Sequence, residues 1–167
     1  MKKHKMVILC TVGVVFFSLV AAFNAVAQDE RQNEAIIERN LEEVWHKHNW
    51  AVIDEIIAPI YVRHLPGGVE IRGKDAYRKH VEGFVTPFPD FHCTREIMFS
   101  KGDYVVIRDI ATGTHTGPGM GEPTGKKINI SAIVIHRLAA GKMVECWVEV
   151  DSLSLMQQLG YKLVPPE

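Results

Sequence analysis

The chain has 167 residues, 47% of them hydrophobic, and its 19 basic and 20 acidic side chains leave a net charge of −1. That balance offers no cationic surface for nucleic acid, and the length suits one domain with a core large enough to enclose a pocket. Of the eight histidines, His64, His92, His115 and His136 come from separate segments without a zinc-type spacing, so no metal is expected.

Met1-Lys2-Lys3-His4-Lys5 leads into an apolar run over residues 6–23, and Ala25-Val26-Ala27 precedes the polar Gln28-Asp29-Glu30-Arg31. A basic start, an apolar stretch and a small-x-small site read as a secretory signal cut after residue 27. Cys10 lies too early in the run to be a lipid-bearing cysteine at the junction. The expected working protein is a single domain, residues 28–167, secreted or periplasmic and without stable membrane association. Loss of Lys2, Lys3 and Lys5 and of no acid moves its net charge to −4. Cys93 and Cys146 then remain in a compartment that permits disulfides, either as a pair or as two small buried side chains.

Ile37, Leu41, Val44 and Trp45 fall at helical spacing and predict a helix over 30–48, with acids early and basic residues late. Asn49 can cap a second, short helix carrying Val52, Ile53, Ile56 and Ile57, which Pro59 ends. A short strand over 61–65 and a Pro66-Gly67-Gly68 turn follow. After Gly73 a third helix places Ala76, Tyr77, His80, Val81 and Phe84 on one stripe and stops at Pro87. Beyond Pro89 the period becomes alternating, predicting strands over 91–100, 104–116, 127–138 and 142–151. Lys101-Gly102-Asp103 and Ala139-Ala140-Gly141 are tight hairpin turns, and the glycine-rich link 117–125 reads as a lid or mouth loop. That link lacks the Lys-Ser/Thr of a phosphate loop. The sum is an α+β domain, three N-terminal helices packed on a curved antiparallel sheet, with a cone between the layers suited to a small hydrophobic molecule. The other sheet face has apolar residues to hide, and a homodimer through it is the economical cover.

Candidate chemistry concentrates on the last long strand, where Trp147, Glu149 and Asp151 share one face and Cys146, Val148 and Val150 the other. If the acidic face lines the cone it supplies two acid/base groups; if it meets water it supplies solubility alone. Asp151 is equally suited to cap a final helix, and Glu149 to pair with Arg108 or Arg137. His64 follows a strand near the expected mouth, either as an acid/base group or satisfied by the adjoining turn. His115 ends a strand whose small residues leave room beside it. Trp45, Tyr61, Phe84 and Trp147 could wall an aromatic-tolerant cavity. No Ser or Cys sits in an elbow motif, so covalent hydrolysis has no support.

Several strings in order give the chain a family likeness: Asn40-Leu41-Glu42-Glu43-Val44-Trp45 with Asn49, Tyr61-Val62-Arg63-His64, Pro87-Phe88-Pro89-Asp90-Phe91, Gly113-Thr114-His115-Thr116-Gly117, Pro123-Thr124-Gly125-Lys126, Gly141-Lys142-Met143-Val144-Glu145 running into Trp147 and Asp151, and Leu155-Met156-Gln157-Gln158-Leu159-Gly160. Together they resemble the SnoaL-like polyketide cyclases and the ester-cyclase branch of the NTF2-like superfamily. The resemblance implies an α+β barrel, usually dimeric, acting without metal or cofactor. It also implies an aspartate on the last long strand that exchanges protons with an enolisable polyketide ester during aldol closure. The matching position here is Val148, which cannot take a proton. The ester-cyclase branch, with Trp and Asp at the positions of Trp147 and Asp151, is the nearer likeness. Two functions stand: a cofactor-independent acid/base enzyme (cyclase, isomerase or hydrolase) on a small hydrophobic carbonyl compound, with His64, His115, Glu149 and Asp151 as its groups, or a non-catalytic periplasmic binding module for an apolar small molecule. A third, an interaction domain, would have a collapsed cavity.

Overall fold

The computed structural model describes residues 28–164, so the expected export signal and its cleavage site lie outside them. Helix α1 runs over residues 28–46, α-helical to residue 39 and π-helical over Asn40–His46. Ile37, Leu41 and Val44 bury its apolar stripe, and the wider π turns bury the polar Asn40 as well. Helix α2, Ala51–Ile56, begins without a side-chain cap, because Asn49 turns its amide back to Glu43 instead.

Strand β1, Ile57–Leu65, follows α2 without a loop and is longer than its sequence predicts. Pro59 does not separate helix from strand; it lies inside β1, where it has no N–H to give, and the pairing register shifts between Ile57 and Val62. The remaining elements are β2 (Val69–Arg72), α3 (Lys74–Val85), β3 (His92–Lys101), β4 (Tyr104–Thr114), β5 (Lys127–Ala139), β6 (Lys142–Val150) and α4 (Ser152–Leu159). The strands form one curved sheet in the order β2-β1-β6-β5-β4-β3.

The sheet is not wholly antiparallel. β1 lies parallel to β6, since these two are joined by most of the domain and not by a hairpin. A bulge between Arg95 and Ile97 reverses the facing of β3 halfway along. Arg95 stays on the inner face opposite Asp109, whereas Ile97 and Phe99 turn outward, 49% and 55% exposed.

Helices α1 to α3 cover the concave face, with Tyr61, Tyr77, Val81, Val105, Met143 and Cys146 in the core between layers. A second cluster of Phe88, Ile128, Ile130, Leu155 and Leu159 fixes α4 at one end of the sheet. The convex face keeps Ile133, Ile135 and Trp147 substantially exposed. No helix among the described residues is long and apolar enough to cross a membrane.

Candidate active site

Between the helices and the concave face is a cavity of about 120 Å³. Its walls are mostly apolar, with Trp45, Phe84 and Phe91 on the helical side and Ile107, Ala132, Val134, Val148 and Val150 on the sheet. Six polar side chains interrupt them: Asn40 from α1, Arg63 from β1, His80 from α3, Arg95 from β3, Asp109 from β4 and His136 from β5.

These groups form two different environments. Around Arg95 one cation meets two carboxylates: Nε and Nη2 donate to the two oxygens of Asp109 at 3.0 and 3.2 Å, and Nη1 meets the half-exposed Glu38 at 2.8 Å. A two-pronged guanidinium–carboxylate pair of this kind is geometrically fixed and leaves the Arg95 charge fully countered. Beside it, burial and then the Asp109 charge push the Cys93 thiol up to about 12.

Arg63 lies 6% exposed and, among the described residues, forms no ion pair. Nη1 donates to Cys146 Sγ at 3.5 Å, and Nε has no partner. The rings of Trp45 and Tyr77 lie 5.8 and 5.9 Å from the guanidinium carbon, close enough for cation–π attraction. Burial is the largest influence on this charge and opposes it; Cys146 first, then Tyr61 and Tyr77, would raise its pKa only in their anionic forms. Tyr77 is itself held in place, accepting from Trp45 Nε1 at 3.0 Å and donating to Asn40 Oδ1 at 2.8 Å. Burial raises the pKa of both Tyr61 and Tyr77, so each phenol keeps its proton.

Two imidazoles complete the wall. His136 is 3% exposed and its Nδ1 has no partner. Burial first, then the Arg63 and Arg95 charges, push its pKa down to about 3. Burial and Arg63 likewise lower His80 to about 4. Both rings are neutral at pH 7, able to accept or donate a hydrogen bond in a site that already holds a cation.

The four groups expected to act as acids and bases do not converge here. His64 stands on the convex face, stacked on Trp147 at 5.4 Å and paired with Glu145 at 3.0 Å and Glu70 at 3.3 Å. Glu149 is exposed on that same face, and Arg108 and Arg137 pair with Glu96 and Glu145 instead of with it. Asp151 caps α4, its carboxylate accepting from the Ser154 N–H at 3.0 Å. His115 is inside, but both its nitrogens are spent on the following loop: Nε2 meets the Gly119 carbonyl at 3.0 Å and Nδ1 the Thr124 hydroxyl at 3.2 Å. The space beside it is filled by protein, since a Cβ on Gly113 would come within 2.9 Å of Phe88 Cβ. The 117–125 segment is therefore braced against the body through His115, which does not suit a free lid.

Of the four expected wall residues, Trp45 and Phe84 line the cavity. Tyr61 is wholly buried behind it, touching Cys146 Sγ at 3.0 Å, and Trp147 lies outside, 37% exposed. The face of β6 that meets the cavity is the apolar one. The β5–β6 register shifts only at Arg137/Leu138, so alternation is regular from Cys146 to Val150 and Val148 points inward. Cys93 and Cys146 are both buried and free. Among the described residues no group of three or more His, Cys, Asp or Glu is placed to hold a metal ion.

Sequence reasoning passed over Arg63 and His136 as site residues. Their signal is a polar residue in the apolar register of a strand, Arg63 between Tyr61 and Leu65 and His136 between Val134 and Leu138.

An α+β cone with one apolar pocket and a few convergent polar groups is a small-molecule architecture. Residues 35–159 match the model of the SnoaL-like polyketide cyclases, and the chain belongs to that family. IdmH from Streptomyces antibioticus, assigned as a polyketide cyclase, is 28% identical with a TM-score of 0.69 over 78% of this chain and 99% of its own. An assigned polyketide cyclase from Acidithiobacillus ferrooxidans is 29% identical, TM-score 0.67, over 77% and 94%. A SnoaL-like protein from Jannaschia sp. CCS1, at 23% identity and TM-score 0.74 over 80% and 95%, shares the fold. Comparison with curated proteins gave no match. Family membership supports a small-molecule enzyme working without a cofactor.

Proposed function

We propose that the protein is an exported acid/base enzyme of the cyclase, isomerase or hydrolase kind, acting without a cofactor on a small hydrophobic carbonyl compound. The observation that carries this reading is the presence, on one apolar cavity, of a buried guanidinium, Arg63, and a buried imidazole, His136, whose Nδ1 has no hydrogen-bond partner. In this mechanism the guanidinium faces the carbonyl oxygen on which negative charge gathers, and the His136 imidazole receives the proton. Preorganised charge in a water-poor site is the largest catalytic contribution such a cavity can make. The two groups also cooperate: burial first and then the Arg63 cation depress His136, and negative charge at Arg63 offsets the second of these, so its basicity rises as the reaction proceeds. Asp109, held on both oxygens by Arg95, orients the wall.

The test is solvent deuterium incorporation into a panel of apolar 1,3-dicarbonyl compounds, followed by NMR. Incorporation that the wild type catalyses and His136→Ala does not is the expected result. Binding of the same compounds without exchange would favour the second reading, a periplasmic binding module, which Val148 at the position of the family's acid supports. Export is checked by the N-terminal sequence of the protein recovered from its host, which should begin at Gln28. The convex face, with Ile97, Phe99, Ile133, Ile135 and Trp147 exposed, is the proposed homodimer surface. Light scattering should show a dimer that Trp147→Arg weakens.

A further inference from the structure

We infer that the cavity takes a ligand that is already anionic when it binds, an apolar carboxylate whose charged group pairs with Arg63. This rests on the cavity being the working site, and goes beyond it by fixing the charge of the molecule that enters.

Two arginines, Arg63 and Arg95, share the cavity wall and differ in what surrounds them. Arg95 has its counter-charge built in, from Asp109 on both prongs and from Glu38. Arg63 is as deeply placed and has none among the described residues: a thiol sulfur at 3.5 Å, two phenols and an indole surround it, and its Nε is unpartnered. Leaving a cation buried without an anion is among the costliest arrangements a protein can hold, whereas the same cation with an anion in contact is stabilised. A neutral carbonyl group offsets that charge only while its oxygen is turning anionic in the reaction, whereas a ligand that offsets it on binding must itself carry an anion. A carboxylate does so and can meet the guanidinium with two parallel hydrogen bonds.

The neighbouring groups suit the same ligand. His136 Nδ1 is the second unpartnered buried polar atom among the described residues, and burial first, then the Arg63 charge, lowers both His80 and His136, so an anion at Arg63 offsets the second of these causes at each ring. The rest of the wall is apolar, with Trp45, Phe84 and Phe91 meeting edge-on or tilted at 5.7 to 6.0 Å between ring centres. One cation in an apolar chamber balances a single negative charge. A phosphate dianion would carry surplus charge into a wall with nothing to meet it.

Calorimetric titration of the intact chain with 2-naphthoate and with naphthalene-2-carboxamide, and with benzoate and benzamide as a smaller pair, tests the inference. The carboxylate of a pair should bind roughly 10- to 100-fold tighter than the amide, the range expected for a charge-assisted contact. Arg63→Met should erase that preference while the amide still binds, and Arg63→Lys should keep part of it. Equal or tighter binding of the amide by the wild type, or a preference that survives Arg63→Met, overturns the inference. So does an ultraviolet thiolate band in the empty protein at neutral pH that Cys146→Ser removes, because the counter-charge would then be the protein's own. Binding of the amides alone defeats the carboxylate and leaves the cavity reading standing; binding of neither member of either pair defeats both.

Discussion

Arg63 and His64 are neighbours in the chain and face opposite sides of the sheet. On the convex side His64 has every contact a polar group needs: an indole to stack on, Glu145 and Glu70 within 3.3 Å, and water beyond. Glu145 is shared with Arg137, and these two partners lower its carboxyl pKa, His64 first. On the concave side Arg63 has a thiol, aromatic rings and an empty Nε. Both faces carry titratable and aromatic side chains, so residue type alone does not separate them. What separates them is whether the polar atoms are satisfied. Satisfied groups at a surface hold the fold together at modest energies, whereas a buried cation without a protein counter-charge is a cost that an anionic ligand can lower.

The largest predicted effects fall on the concave face. Arg63→Met should slow the proposed exchange roughly 100- to 1000-fold, as loss of a preorganised charge does, while the empty protein melts no lower and even higher, because an uncompensated buried charge has gone. His64→Met, one residue along, should leave exchange within about twofold. A matched loss from both variants would remove the distinction between the faces.

His136→Phe should cost roughly 100-fold or more in exchange and also leave a signature in stability. The folded ring titrates near 3 and the unfolded one near its ordinary value of about 6.5, so acid favours the unfolded chain. Stability from this residue is complete above pH 6.5 and declines as the pH falls toward 3. Urea unfolding at pH 7 and pH 5 should show the wild type losing about 2 kcal/mol more than His136→Phe. Equal losses would mean that the ring is not held neutral.

Smaller effects test the supports. Tyr77→Phe removes the hydroxyl that joins Asn40 to Trp45 and should destabilise by about 1 to 2 kcal/mol in chemical unfolding. Asp151→Ala removes the α4 cap and should cost about 1 kcal/mol with exchange unchanged. Lost exchange in that variant would return Asp151 to the chemistry.

Much of this architecture was legible from periodicity. Helical spacing in α1 and α3, alternation after Pro89 and the two tight turns give the α+β cone, and the ordered strings give the family. The parallel β1–β6 pairing was not legible, because it joins segments far apart in sequence. Nor was the bulge at Arg95/Ile97, which only cross-strand pairing reveals. For the site, Trp45 and Phe84 followed from their stripes. The acidic face of β6 misled because a strand's alternation fixes which residues share a face and leaves open which face turns inward. The resemblance puts Val148 at the position of the family's acid, and Val148 lines the cavity wall. His115 drew attention through the glycine beside it, yet Gly113 is small to admit Phe88.

The central claim is that the concave cavity around Arg63 and His136, and not the acidic convex face, receives the ligand. The protein's three tryptophans make this directly measurable, since Trp45 lines the cavity, Trp147 lies on the convex face, and Trp50 packs against His48 with its ring stacked at 5.5 Å. Their indole N–H signals in a nitrogen-15 correlation spectrum can be followed as 2-naphthoate is added. The account predicts that the Trp45 signal moves saturably while Trp147 stays still. Movement of Trp147 with Trp45 unchanged would contradict it.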